Sequence, residues 1–266
     1  MNLVREAMQA PKLWRVPTAE IRTSVLPRVS AADLSELWAH NEHGRQWRED
    51  RARIEAALGS PALLGGVNPG DREAIYRIVR TRAPRRILEV GTHVGASTLA
   101  MACALARCGD AGHLTTVDVL DVNADDGPWR RVGSRACPRT LAEDLGVGER
   151  IEFVTQPAME ALRAAARDGR RFDLVFLDGD HGAAAVYEEV AAATFVLAEG
   201  GWILLHDYYP GARPLFPDGR VIPGPYRALQ RLRRETPGLS VRPFGLLPWP
   251  TKQGSHATSL ALVVRA

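Results

Sequence analysis

The chain has 266 residues, of which 45% are hydrophobic and 24% charged, which is ordinary for one globular domain with additions. Its net charge of +3 comes from 34 basic and 31 acidic residues that are interleaved along the chain, and this argues against a nucleic-acid partner. No apolar run approaches the length of a bilayer span, so we expect no transmembrane helix and no membrane partner.

The first residues, MNLVREAMQAPKLW, carry a charge inside their apolar stretch and lack a small-residue cleavage pattern, so we expect no secretion signal. The three cysteines, Cys103, Cys108 and Cys137, form no C-x-x-C pair, which indicates reduced thiols. We therefore expect a cytoplasmic protein. Heavy use of Ala, Arg, Gly and Pro is typical of a GC-rich genome and favours a bacterial source.

Apolar residues recur at helical spacing over residues 30–58, after a Ser30–Asp33 pair that resembles a capping box. The spacing predicts one or two amphipathic helices with a break near residues 40–44. A further helix is predicted to begin at Asp71 as its cap. We expect residues 1–65 to form an N-terminal helical extension that acts as a lid on a domain of residues 66–266. Exposed amphipathic helices also favour a homodimer.

Beyond Pro84, apolar runs of strand length alternate with helical stretches: 86–90, 113–119, 151–155, 172–178 and 201–206. This alternation predicts a doubly wound α/β fold with a parallel sheet buried on both faces. A helix over 225–235 is followed by LSVRPFG and ATSLALVVR with no helix between them. Two such strands are expected to pair antiparallel.

The stretch RRILEVGTHVGASTLAMA predicts a strand, a glycine turn with Gly91 and Gly95, and a helix. His93 replaces the glycine that lets a pyrophosphate lie against the backbone in dinucleotide sites, which argues against a nicotinamide cofactor. Glu89 suits an ammonium group, and Ser97 can hydrogen-bond a carboxylate at the start of the helix.

A second strand, LTTVDV, ends near Asp118, which is placed to accept hydrogen bonds from two ribose hydroxyls. An ammonium, a carboxylate and a ribose together describe an amino acid joined to a nucleoside. The sequence therefore predicts S-adenosylmethionine as the ligand.

The ordered motifs EVGTHVGAS, FDLVFLDGDH and GGWILLHDY resemble those of the class I S-adenosylmethionine-dependent methyltransferases, notably the catechol and caffeoyl-CoA O-methyltransferase type. The resemblance implies a Rossmann-like sheet of seven strands whose last strand is inserted antiparallel. It also implies a donor site in which Glu89 holds the ammonium, Asp118 holds the ribose, and the other contacts are Gly91, Thr92, Gly95, Ser97, Val119, Ala158, Met159 and Asp178.

Acidic and histidine side chains follow the fourth and fifth strands, namely Asp178, His181 and Asp207. Acids that end adjacent parallel strands can converge, and two carboxylates make a reasonable Mg²⁺ site. In the family resembled here, acids at the positions of Asp178 and Asp207 bind the metal. The third ligand position is Tyr208, which departs from the family's Asn or Asp and puts metal dependence in question.

The DGDH…HDY wording looks closer to a bacterial group that includes sugar O-methyltransferases of antibiotic pathways. That resemblance implies His181 as the base, whereas we expect His206 to be structural. The predicted function is O-methylation of a hydroxyl on a small molecule, a secondary metabolite or a sugar, with Mg²⁺ assistance open. Metal-independent N-methylation, a related hydroxylase role and non-catalytic binding of the donor are the alternatives. Acceptor choice is expected to depend on residues 1–65 and 210–225.

Overall fold

The computed structural model describes residues 13–59, 66–109 and 111–266. At its centre lies a seven-stranded sheet of order β3-β2-β1-β4-β5-β7-β6, in which β1 to β5 are parallel and β7 is antiparallel to both of its neighbours. The strands are β1 (Arg86–Val90), β2 (His113–Asp118), β3 (Ile151–Thr155), β4 (Phe172–Leu177), β5 (Leu197–Leu205), β6 (Leu239–Pro243) and β7 (Ala261–Arg265). The predicted doubly wound sheet with its antiparallel last strand is confirmed.

The helices of the described residues are α1 (Ala31–Ala39), α2 (Asn41–Leu58), α3 (Pro69–Arg82), α4 (Ala96–Cys108), α5 (Pro128–Arg131), α6 (Pro138–Asp144), α7 (Ala158–Arg167), α8 (Ala183–Val196) and α9 (Pro223–Glu235). The break between α1 and α2 falls at His40, inside the predicted range, and the predicted capping box of Ser30 and Asp33 is formed. The expected cap of α3 is wrong. Asn68 is the N-cap, and Asp71 lies in the first helical turn.

The central strands are mostly apolar because helices cover both faces of the sheet. Side chains alternate between the two faces along a strand. Leu174 and Phe176 of β4 therefore belong to the core beneath α1 to α4, while Val175 and Leu177 belong to the core beneath α7 to α9. Within the described part of the chain, no helix is long and apolar enough to cross a membrane.

The N-terminal helices are built into the first of these cores. Trp47, Ile54 and Leu58 of α2 are at most 1% exposed and pack in the same cluster as the inner residues of α3 and α4. The proposed boundary near residue 65 adjoins residues 60–65, which lie outside the described residues, as do residues 1–12. The lid role expected of residues 1–65 stays a prediction.

The connection between β6 and β7 fastens the start of α3. Its Phe244 and Trp249 contact the ring of Trp38 in α1 with centroid distances of 5.6 and 5.4 Å. The Trp249 indole N–H donates to the Gly70 carbonyl at 2.9 Å, and a Cβ on Gly70 would lie 2.5 Å from the Pro250 oxygen. The first turn of α3 is therefore held tightly on one side.

Replacing Trp47 with alanine tests whether α2 is an integral part of the core. We expect the free energy of unfolding to fall by about 3–5 kcal/mol, because a buried indole is removed and a cavity remains. Chemical denaturation measures this loss, and Trp14→Ala is the control because that indole is 69% exposed. A loss below about 1 kcal/mol for Trp47→Ala, matching the control, would show that α2 is dispensable to the core.

Candidate active site at the carboxyl edge of the sheet

The turn after β1 passes directly against the end of β4. Gly91 has a φ of +97°, and a Cβ added there would lie 2.3 Å from the Asp178 carbonyl oxygen, so no other residue fits without displacing the backbone. Gly95 has a φ of +77° immediately before α4, and its N–H donates to the Thr92 carbonyl at 2.8 Å. The glycine turn and the acids after β4 are thus immediate neighbours.

Glu89 lies beneath this turn rather than in the crevice. It is fully buried and accepts hydrogen bonds from the hydroxyls of Ser97 (2.5 Å), Thr98 (2.5 Å) and Thr116 (2.7 Å). Burial raises the pKa of Glu89 to about 7, although the three hydroxyl donors oppose the shift. Ser97 is 3% exposed, and its hydroxyl donates to Glu89. The ligand contacts expected of Glu89 and Ser97 stay predictions.

Asp118 does face the edge of the sheet, as expected. Its carboxylate accepts from the backbone N–H groups of His93 (2.9 Å) and Leu120 (3.0 Å), and each oxygen keeps capacity for one more donor. His93 adopts a φ of +48°, the left-handed conformation that a glycine would take more easily. The carboxylate is therefore fixed in place by the turn that replaces the dinucleotide fingerprint.

Apolar side chains are exposed beside Asp118. Val119 is 66% and Leu120 53% exposed, so two adjacent apolar side chains face solvent directly after β2. After the neighbouring strand β3, helix α7 begins with the half-buried Ala158 and Met159. The Gln156 N–H, just before this helix, donates to the Asp118 carbonyl at 2.9 Å. Carboxylate and apolar surface together suit a ribose joined to an aromatic base.

Asp178, His181 and Asp207 converge as the sequence predicts. One ligand atom from each lies within 4.8 Å of the others, and the His181 Nε2 is 3.6 Å from an Asp207 oxygen. Asp207 has a φ of +54°, which turns its carboxylate back toward the end of β4. Burial raises the pKa of Asp207, and the neighbouring His206 opposes this.

His206, which we expected to have a structural role, lies at the centre of this acidic group. Its Nδ1 lies 3.1 Å from an Asp178 oxygen and 3.5 Å from an Asp207 oxygen, and its Nε2 lies 3.1 Å from an Asp71 oxygen. Burial alone would lower the pKa of His206, but the carboxylates of Asp178 and Asp207 raise it well above its usual value. Nothing in the spacing of the chain links Asp71 to this point, because only the packing of α3 brings it there.

Tyr208, at the third ligand position of the resembled family, is directed elsewhere. It is 4% exposed, and its ring packs against that of Tyr226 in α9. The oxygen donors of this cluster are therefore the two carboxylates of Asp178 and Asp207. Such hard oxygen donors fit a Mg²⁺ ion that keeps several waters.

The backbone of His181 is seated against the start of α9. A Cβ on Gly224 would lie 1.9 Å from the His181 carbonyl oxygen, so only glycine permits this contact. The imidazole itself is 42% exposed. His181 thus combines a fixed backbone with a side chain that can meet a substrate.

A small cavity behind His181 contains a further acid, Glu189 of α8, which the sequence analysis did not single out. The cavity is also lined by Asp178, Asp180 and His206. Glu189 is 4% exposed, and burial raises its pKa to about 8, with Asp180 and Glu188 adding to the shift. This carboxyl group is mostly protonated at neutral pH.

Part of the chain matches a known protein family and a curated relative. Residues 88–208 match the family described as "Methyltransferase domain". The chain is 29% identical over 161 residues to a caffeoyl-CoA O-methyltransferase of Stellaria longipes, an alignment that covers 59% of this chain and 54% of that protein. The chain thus spans about half the length of this curated relative.

Solved structures share the fold over most of the chain. One is the O-methyltransferase TomG of Streptomyces achromogenes, involved in tomaymycin synthesis and solved with S-adenosylmethionine (20% identity, TM-score 0.56, 93% of this chain and 100% of that chain). Another is an O-methyltransferase of Bacillus cereus with S-adenosylhomocysteine (19% identity, TM-score 0.55, 88% and 95%). At these identities the likeness establishes the fold.

Replacing Glu189 with glutamine tests the buried acid through the pH dependence of stability. The folded state holds the Glu189 proton up to about pH 8, whereas the unfolded chain releases it near pH 4.5. The folded protein therefore binds more protons between these values, so this group makes stability fall as pH rises, by up to about 1.4 kcal/mol per pH unit.

We expect Glu189→Gln to remove this contribution, so the variant gains stability relative to the wild type between pH 4.5 and 8. Urea denaturation at several pH values measures the difference, with Glu160→Gln as the control at an exposed acid of α7. A difference between variant and wild type that does not change with pH would contradict the assignment.

Proposed function

We propose that this chain is a class I S-adenosylmethionine-dependent methyltransferase, which transfers the methyl group of S-adenosylmethionine to a hydroxyl oxygen of a small molecule. One observation carries the proposal. The glycine turn that suits the donor and the acids that suit an oxygen acceptor touch each other, since Gly91 packs on the Asp178 carbonyl. Donor and acceptor sites at one edge are what an in-line methyl transfer needs.

The donor is bound by the backbone of the turn and by Asp118. The turn of Gly91, Thr92 and Gly95 receives the amino-acid end at the start of α4, where the helix dipole favours a carboxylate. Asp118 accepts the ribose hydroxyls, and the adenine lies between Val119 and the first turn of α7 with Ala158 and Met159. The exposed apolar side chain of Val119 supports this arrangement, since an adenine would cover it.

Glu89 contributes to donor binding indirectly. Its carboxyl group ties together β2, through Thr116, and the first turn of α4, through Ser97 and Thr98. The turn that receives the donor joins β1 to α4 and bonds Asp118 at the end of β2 through the His93 N–H, so Glu89 sets its shape.

His181 activates the acceptor by taking its proton. The acceptor oxygen attacks the methyl carbon, the bond from that carbon to the donor sulfur breaks, and S-adenosylhomocysteine and the methyl ether leave. The proton of the hydroxyl passes to His181, because an imidazole is a competent base near neutral pH. The contact of Gly224 with the His181 backbone holds this base in position.

Asp178 and Asp207 are the residues that would hold Mg²⁺. When bound there, the ion stabilises the negative charge that develops on the acceptor oxygen. Two carboxylates within reach of each other and of His181 support this assignment.

The acceptor is a small molecule that enters between the N-terminal helical layer and the loop of residues 210–225. The "DGDH…HDY" wording and the names of TomG and the plant relative support a hydroxyl on a secondary metabolite. We place the enzyme in the cytoplasm, since Cys103, Cys108 and Cys137 are all free thiols. The lid role of residues 1–65 belongs to the same proposal.

Donor binding is tested by isothermal titration calorimetry with S-adenosylmethionine and, separately, with NAD⁺. We expect binding of the first and none of the second. Asp118→Ala is expected to weaken donor binding roughly 10- to 100-fold, because charge-assisted hydrogen bonds to the ribose are lost. The control is Asp126→Ala, an exposed acid in the connection that follows β2. Equal affinity in both variants, or binding of NAD⁺ alone, would refute the donor assignment.

Catalysis is tested by mass spectrometry after incubation with a panel of hydroxylated metabolites, where a methyl acceptor gains one methylene. With an acceptor in hand, His181→Ala is expected to lower kcat roughly 10²- to 10⁴-fold while leaving donor affinity unchanged. His113→Ala, at the opposite edge of the sheet, is the control. Full turnover by His181→Ala would show that His181 is not the base. Full turnover after exhaustive chelation would show that the reaction needs no metal ion.

A further inference from the structure

We propose that Asp71 is a positioning residue of the active site, which fixes the carboxylate of Asp178 through the ring of His206. The kinetic part of this inference rests on the proposed function, whereas the link between the three residues is a property of the fold. Asp71 is 107 positions from Asp178 in the chain and comes from a helix outside the strands that carry the acids.

The link consists of two hydrogen bonds on opposite sides of one rigid ring. His206 Nε2 lies 3.1 Å from the Asp71 Oδ2, and His206 Nδ1 lies 3.1 Å from the Asp178 Oδ1. An imidazole has no internal rotation, so a displacement at one nitrogen is transmitted to the other. The ring therefore couples the first turn of α3 to the end of β4.

Asp71 is buried at a cost that helix capping does not explain. It is 0% exposed, and its Oδ1 is a buried oxygen with no hydrogen-bond partner among the described residues. The free N–H groups at the start of α3 are capped by Asn68, whose side chain also donates to Asp71 Oδ2 at 2.7 Å. A half-satisfied buried carboxylate destabilises a protein unless it serves another purpose. Its one contact toward the site is His206.

Both ends of the link are anchored. The start of α3 is held by Trp249, which donates to Gly70, and by the close contact of Gly70 with Pro250. At the other end, the backbone N–H of Asp178 donates to the Val90 carbonyl at 2.9 Å, so only its side-chain torsions are free. The bond from His206 removes that freedom. Asp71 thus determines where the Asp178 carboxylate points.

The ring of His206 reports on this coupling by NMR, without any activity. In protein labelled with ¹⁵N-histidine, the His206 signals are assigned by their loss in His206→Gln. We expect Asp71→Asn and Asp71→Ala to shift the Nδ1 signal, although Asp71 contacts only Nε2. The control is Asp50→Asn, a buried acid that bonds Tyr76 and Arg107 instead, which is expected to leave the His206 signals in place.

An unchanged Nδ1 signal in the folded Asp71 variants would overturn the proposal. Asp71→Asn keeps the shape of the side chain and serves if Asp71→Ala does not fold. This measurement needs neither donor nor acceptor. It therefore tests whether Asp71 and Asp178 are coupled through His206 even if no methyl acceptor is found.

The kinetic consequence is measured once an acceptor is known. Loss of a residue that orients a reacting group costs roughly 10- to 100-fold in activity. We expect Asp71→Ala to lower kcat by that factor while KM for S-adenosylmethionine stays unchanged, and Asp71→Asn to recover most of the loss.

The double variant Asp71→Ala/His206→Gln is expected to be no slower than His206→Gln, because both changes break the same link. Losses in kcat that multiply in the double variant, or wild-type kcat in folded Asp71→Ala, would show that Asp71 acts only on stability.

Discussion

The contact between the turn after β1 and the end of β4 is the constraint on which the site depends. Parallel strands end at the same edge of a sheet, and in this sheet β1 and β4 are direct neighbours. Gly91 lets the two backbones approach to a distance that no side chain would allow. The glycine turn, Asp118 and the acids after β4 and β5 consequently lie at one edge of the sheet, and the proposed chemistry depends on that proximity.

Strained backbone conformations and buried acids lie at or next to this site. His93 and Asp207 adopt left-handed backbone conformations that are unfavourable for side-chain residues, and both lie at the crevice. Asp71, Glu89 and Glu189 are buried acids, two of them with a raised pKa. These features are tolerated because two closely packed cores lie on either side of the sheet.

Much of the fold could be predicted because it depends on local pattern. The five parallel strands, the final hairpin and the convergence of Asp178 with Asp207 follow from hydrophobic runs and from the rule that strand ends meet at one edge. The hydrogen bonds of Glu89 with Ser97 and Thr116 could not be predicted, because a sequence does not show that hydroxyls from a neighbouring strand and helix will satisfy a carboxylate. The contact between Asp71 and His206 was not predicted because it depends on how α3 packs against the sheet.

The most direct test of the account is a crystal structure of the protein with S-adenosylhomocysteine. We expect the ribose hydroxyls to bond Asp118 and the sulfur to face the cluster of Asp178, His181 and Asp207. A nucleoside bound away from Asp118, or a sulfur directed away from those acids, would contradict the claim that one crevice holds donor and acceptor together.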